Sequence, residues 1–201
     1  KRDLKIYKCD LKWFVVFTIV DATFFQLFLT YGISETGAGL GSVLIDSQPL
    51  IVALLARAIF GNLINPIGWL GLLFGLGGII FLGFPKEFLE KWWLMSDTNL
   101  GDINFNIGEA WMLAAALSMA LGTILIRLTC TKSDPVSVTG WHMVFGSLPL
   151  IIKYFLDTNF QSLPNWTFTE WSLMSFASVF GSAVAYGLFF YFANNKEITG
   201  F

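Results

Sequence analysis

The chain has 201 residues, of which 55% are hydrophobic and only 13% charged, and its formal net charge is −2. A soluble domain carries about 25% charged residues, so a water-soluble globule is excluded as the first reading. So small a net charge also excludes nucleic acid or any strongly charged partner.

About 20 mostly apolar residues are needed to cross the hydrocarbon core of a bilayer as a helix. Six runs reach that length, at roughly 13–33, 36–59, 66–84, 108–129, 136–156 and 170–192. The predicted fold class is therefore all-α, a polytopic membrane helix bundle with six transmembrane helices. Trp13, Trp69, Trp111 and Trp171 stand near the starts of runs and Trp166 just outside one, where an amphipathic ring prefers to lie.

The first run carries Asp21 and Gln26. On a regular helix Asp21 shares a face with Phe25, Phe28 and Gly32, and Gln26 is turned about 140° away. The second run contains GAGLGSVLIDSQPLIVALLA at 37–56. Its glycines do not make a phosphate loop, because Ser42 stands where a dinucleotide fingerprint needs its last glycine and no Gly-Lys-Ser/Thr follows.

Ser42, Asp46, Pro49 and Ala53 recur at intervals of four, three and four, which places them on one helical face. Pro49 has no backbone N–H, so a kink is expected beside the carbonyl of Ile45, with a small polar pocket there. An ionised carboxylate at the centre of a span costs ~2.5–3.5 kcal/mol, so Asp46 needs a partner, a proton or a water-filled cavity. Counting inward from the helix ends puts Asp46 about 16 Å and Asp21 about 12 Å from the cytoplasmic boundary, in one layer. Gln48 falls on the other side of its helix and reads as an interhelical hydrogen-bond partner.

In the third and fourth runs, Gly71, Gly75, Gly78, Ala114, Ala115, Ser118 and Gly122 are expected to let helix backbones approach closely. KEFLEKWWLM at 86–95 alternates charged and bulky apolar groups and is expected to lie in the membrane interface. In the last two runs Trp141, His142, Tyr186 and Tyr191 are candidates to line a pathway, although His142, a few residues inside its span, also fits an interfacial position. Pro149 is expected to kink its helix as Pro49 does. Arg57 and Arg127, near helix ends, read as anchors that reach the headgroups.

Lys1, Arg2, Lys5, Lys8, Lys12, Arg57, Arg127, Lys132 and Lys196 fall on one side, against Lys86, Lys91 and Lys153 on the other. Basic residues are retained in the cytoplasm, which predicts a cytoplasmic N-terminal end. Cys9 and Cys130 then face that compartment and should be free thiols.

Shifting the chain on itself lays the first run on the sixth, matching Tyr31 with Tyr191 and DATFFQLFLTYG (21–32) with GSAVAYGLFFYF (181–192). The shift crosses five helices, so the second copy is inverted, a recurrent plan among secondary transporters. VDATFFQLFL (20–29), TGAGLGSVLIDSQPL (36–50), GEAWMLAAALSMALGTILIR (108–127), SDPVSVTGWHMVFGSLPL (133–150) and FGSAVAYGLFFYFA (180–193) resemble the EamA-type drug/metabolite transporters, in particular a cyanobacterial and plastid branch. That resemblance implies ten helices as two inverted five-helix repeats, of which this chain would be a fragment holding helices three to eight. Residues 1–84 would close the first repeat, 85–107 form an extracytoplasmic connection, and 108–201 open the second.

The resemblance also implies movement of a small metabolite by alternating access, in exporter-like fashion, across a bacterial plasma membrane or a plastid envelope. Candidate substrate- or ion-binding residues are Asp46, Asp21, Gln26, Ser42, Tyr186 and Trp141, with Pro49 and Pro149 as kinks and no catalytic residue, metal or cofactor. Asp46 is expected to bind a proton, a cation or a substrate amine, with Asp21 as relay or second ligand. Expected partners are the lipid bilayer and a small-molecule substrate, with proton or cation coupling and a homodimer as further expectations. An intramembrane aspartyl protease is disfavoured, since Val43-Leu44-Ile45 stands where Gly-x-Gly should precede the second aspartate. A membrane assembly or sensory component stays open, and substrate-saturable flux would separate it from a carrier.

Overall fold

The computed structural model describes residues 4–61, 64–83, 107–157 and 166–195, and every described element is helical. Helix α1 spans Leu11–Thr36, with a wider π turn at Thr18–Phe24. Helices α2 (Ala38–Ile45) and α3 (Gln48–Phe60) form the next span, followed by α4 (Pro66–Gly83), α5 (Ile107–Thr129) and α6 (Pro135–Asp157). The last, α7, comprises Phe168–Phe176, a second π segment at Ala177–Val184, and Ala185–Asn195. Five runs of 23 to 26 residues are long and apolar enough to cross a membrane, and α4 adds an 18-residue apolar helix. The chain is a multi-pass integral membrane protein. The interfacial stretch expected at 86–95 lies outside the described residues.

Local chemistry sets the boundaries. Gly37 and Gly61 take φ of 78° and 70°, a left-handed region where a Cβ is penalised. Gly37 separates α1 from α2, and Gly61 closes α3 with its N–H on the carbonyl of Arg57. Pro66 and Pro135 open α4 and α6, where a missing N–H costs nothing. At the head of α7, Thr167 and Glu170 form a reciprocal capping box.

Two compact units are distinguished, residues 1–23 with 122–201 and residues 24–121. The first is built on Phe14, Phe17, Ile126, Val138 and Phe190, with Ile6, Leu125, Cys130 and Tyr186 packed against them. Because lipid is as apolar as these side chains, close packing and internal hydrogen bonds, not water exclusion, hold such a bundle together. In the second unit Gly32 and Gly41 face Met112, Gly108 faces Glu35 and Thr36, and Phe28 stacks on Trp111 with centroids 5.4 Å apart. The small-residue expectation holds unevenly. Gly75 faces Leu50, but a Cβ on Gly71 or Gly78 would meet no described atom within 4 Å.

Asp10 closes one end of the first unit. Its carboxylate accepts from the Thr131 hydroxyl, from the N–H groups of Lys132 (3.1 Å) and Ser133 (2.9 Å), and from the Ser133 hydroxyl (2.7 Å). Burial pushes this carboxyl up, but the four donors outweigh it and hold it at about 2. Burial also pushes the neighbouring Cys130 thiol up to about 12, helped by the charges of Asp10 and Asp134; both cysteines are free. Asp10→Ala is expected to cost about 2–4 kcal/mol, since it strands buried donors, and thermal unfolding of the full-length protein checks this. A depressed carboxyl contributes stability that is complete above its unfolded value near 4 and is lost as pH falls toward about 2. Asp10→Asn should remove that acid-dependent loss.

Candidate functional site

Asp21 stands in the middle of the π segment of α1 and is 1% exposed. The turn begins at Thr18, whose hydroxyl bonds back to the carbonyl of Phe14 at 2.8 Å, a local bond that competes with the regular ladder. Across from it, Nε2 of His142 on α6 lies 3.0 Å from Asp21 Oδ2, and His142 is also 1% exposed. The other imidazole nitrogen, Nδ1, lies 2.5 Å from the carbonyl of Thr139. A carbonyl only accepts, so Nδ1 carries a hydrogen, and the Nε2···Oδ2 contact then requires one proton shared between the two groups. With that proton on either atom the pair is neutral overall.

The walls of the pair are aromatic and small. Phe17 stacks on the imidazole at 4.3 Å, and Phe190 lies edge-on to it at 5.8 Å. On α5, Gly122 faces Asp21 so closely that a Cβ there would overlap the carboxylate. Gly146 on α6 faces Ala22 in the same way, and Thr23 donates to the Gly146 carbonyl at 3.0 Å. Asp21 Oδ1 is buried without a hydrogen-bond partner. Such an orphan oxygen is less costly on a neutral acid, whose proton sits on Oδ2, than on a carboxylate.

In the second unit, the span carrying Asp46 has a turn near its middle. Helix α2 ends at Ile45, α3 begins at Gln48, and Asp46–Ser47 form the junction. The N–H of Ser47 turns back to the Leu44 carbonyl, while those of Leu50 and Ile51 bond to the Ser47 carbonyl. Pro49 sits in the first turn of α3, while Asp46 and Ser47 keep right-handed helical angles and the Asp46 N–H still bonds the Ser42 carbonyl, so the two segments run on as one span with a tightened turn before the proline. Asp46 is exposed, whereas Ser47 is 6% exposed with its hydroxyl buried and unpartnered. The turn falls between the second and third members of the face expected from Ser42, Asp46, Pro49 and Ala53.

Ser42 is exposed and its hydroxyl donates to the Gly39 carbonyl at 2.8 Å. Gln26 is exposed and lies in the second unit, while Asp21 lies in the first. Trp141 is exposed, with its indole N–H on the Leu4 carbonyl at 3.0 Å. Tyr186 is partly buried, its ring 5.8 Å from Phe190. Helix α6 continues through Pro149. Arg57 lies over the ring of Trp69 at 5.6 Å. Among the described residues no group of three or more His, Cys, Asp or Glu side chains is placed to hold a metal ion.

The EamA-like transporter family matches residues 3–84 and 106–199. An uncharacterized transporter of Synechocystis sp., sll0355, is 47% identical over 93% of this chain and 57% of its own length. A WAT1-related chloroplastic protein of Arabidopsis thaliana, At3g02690, is 44% identical over 93% of this chain and 44% of its own. The uncharacterized transporter YoaV of Bacillus subtilis is 26% identical over 98% and 63%. The chain thus spans about half the length of the first two relatives. No solved structure matches it.

Proposed function

The chain belongs to the EamA-like transporter family, and from that membership we propose that it is part of a secondary transporter that moves a small cationic or amine-bearing metabolite by alternating access. The observation that carries this reading is the turn at Asp46–Ser47, which sets a carboxylate and a buried, unpartnered hydroxyl in the middle of a membrane span. Ionisable groups inside spans are rare and mark substrate or ion pathways. Asp46 is an exposed carboxylate in that turn. A cationic group bound there would compensate its charge.

The internal repeat is supported from a second direction. The shift that matches Tyr31 with Tyr191 carries the π segment Thr18–Phe24 onto residues 178–184, and the second π segment is Ala177–Val184. On this reading residues 1–84 close one repeat, 85–107 connect, and 108–201 open an inverted second. The N-terminal end is cytoplasmic and transport is outward. Ser42, Gln26, Trp141 and Tyr186 are pathway candidates, with Asp21 as relay or second ligand, Pro49 and Pro149 as helix kinks, and a homodimer as the assembled form.

The test compares metabolites inside and outside cells that express the full-length protein or its Asp46→Asn form. A charge-assisted hydrogen bond is worth about 1.5–3 kcal/mol, so redistribution of the transported compound should fall about 10- to 100-fold in the variant. Equal redistribution by both forms would remove Asp46 from the site. No redistribution by the native form, with protein present in the membrane, would count against transport itself.

A further inference from the structure

The pair Asp21–His142 joins positions 121 residues apart in the chain, and nothing in the motif pattern couples them. It holds one proton, it is closed from water by Phe17 and Phe190, and one of its oxygens has no partner. Tyr186 on α7 is a further titratable group, packed against Phe190 at 5.8 Å, and α5 presents Gly122. A hydrogen bond that served packing alone would not need a single-proton donor–acceptor couple inside a span, where ionisable groups are rare and mark ion pathways.

We propose that Asp21 and His142 form a proton-coupling site, which holds one exchangeable proton in the closed packing seen here and must open to water to exchange it. Loss of the proton leaves an Asp21 carboxylate beside a neutral imidazole, net −1. Gain of a second leaves a carboxylic acid beside an imidazolium, net +1. Only the one-proton state is neutral, and an uncompensated charge so deeply buried is not sustained without water. The proton comes from water and returns to water, and no bond other than O–H and N–H changes. The π turn at Thr18–Phe24 gives α1 a place to shift register, as such turns do at functional sites. The purpose of the site rests on the transport reading, but its titration does not.

The test uses the full-length protein in liposomes, with no substrate added, titrated between about pH 5 and pH 9. Infrared difference spectra should show the carbonyl stretch of a protonated carboxylic acid that disappears in Asp21→Asn and changes with pH in the native protein. Nitrogen-15 spectra of labelled histidine should show the His142 Nε2 resonance, assigned with His142→Gln, moving over the same pH interval and losing that movement in Asp21→Asn. In His142→Gln, whose amide can still hold Asp21, the midpoint of the infrared change should move by a pH unit or more. A carbonyl band that never changes with pH, or a histidine resonance indifferent to Asp21→Asn, would reduce the pair to a fixed hydrogen bond and overturn the proposal. These spectra are independent of flux. Titration without metabolite movement would refute the transport reading alone, and movement without titration the proton site alone.

Discussion

Replacing His142 by alanine is expected to cost the full-length protein about 3–5 kcal/mol of stability, because it leaves a buried carboxyl without its partner and empties a packed site. The neighbourhood offers no remedy. Asp21 is 1% exposed, its Oδ1 already lacks a partner, and the imidazole it would lose is also the surface on which Phe17 stacks. A cavity lined by Phe17 and Phe190 would add to the loss. The double variant Asp21→Asn/His142→Ala measures the coupling, since with the pair already broken the second substitution should add less than about 1 kcal/mol. Thermal unfolding of the three proteins in one detergent measures this. Native-like stability of the single variant, within ~0.5 kcal/mol, would mean that the contact carries no weight.

The spans were legible because length and apolarity decide them, and Gly61, Pro66 and Pro135 mark boundaries by the backbone angles and N–H groups they add or remove. The turn in the second span was half legible. Pro49 announces a lost hydrogen bond, but sequence does not say that the helix tightens three residues earlier, where the Ser47 N–H turns back to the Leu44 carbonyl. A regular helix turns Gln26 about 140° from Asp21, but Thr18–Phe24 winds more widely. Thr18 was the available signal, a hydroxyl able to bond back along the helix.

Depth alone places His142 near the start of its span, toward the interface. Its burial comes from a partner 121 residues away, and a single sequence carries no register between distant helices. The physical hint was stoichiometric: the chain has one histidine and an aspartate in an apolar run that needs a proton or a partner. The same limit applies to the glycines. Gly71 and Gly122 look alike as small residues in spans, yet one has no described neighbour within reach of a Cβ and the other is pressed against a carboxylate.

That contrast sets the second large effect. Gly122→Ala adds one carbon where the Asp21 carboxylate already lies, with Asp21 Cβ only 2.7 Å from the new atom. Asp21 cannot swing aside without stretching its 3.0 Å contact with His142, so either α5 moves away or the pair breaks. Overpacking of this kind costs about 1–3 kcal/mol, and breaking the charge-assisted bond adds about 1.5–3 kcal/mol. Gly71→Ala adds the same carbon to α4 with no described atom within 4 Å; by helix propensity it should be stabilising by about 0.5–1 kcal/mol. The two variants share their chemistry and differ in what faces them. Opposite signs in their unfolding temperatures would show that α5 is held at its distance from α1 by Asp21, and equal small shifts would show that the approach of α5 to Asp21 is not tight.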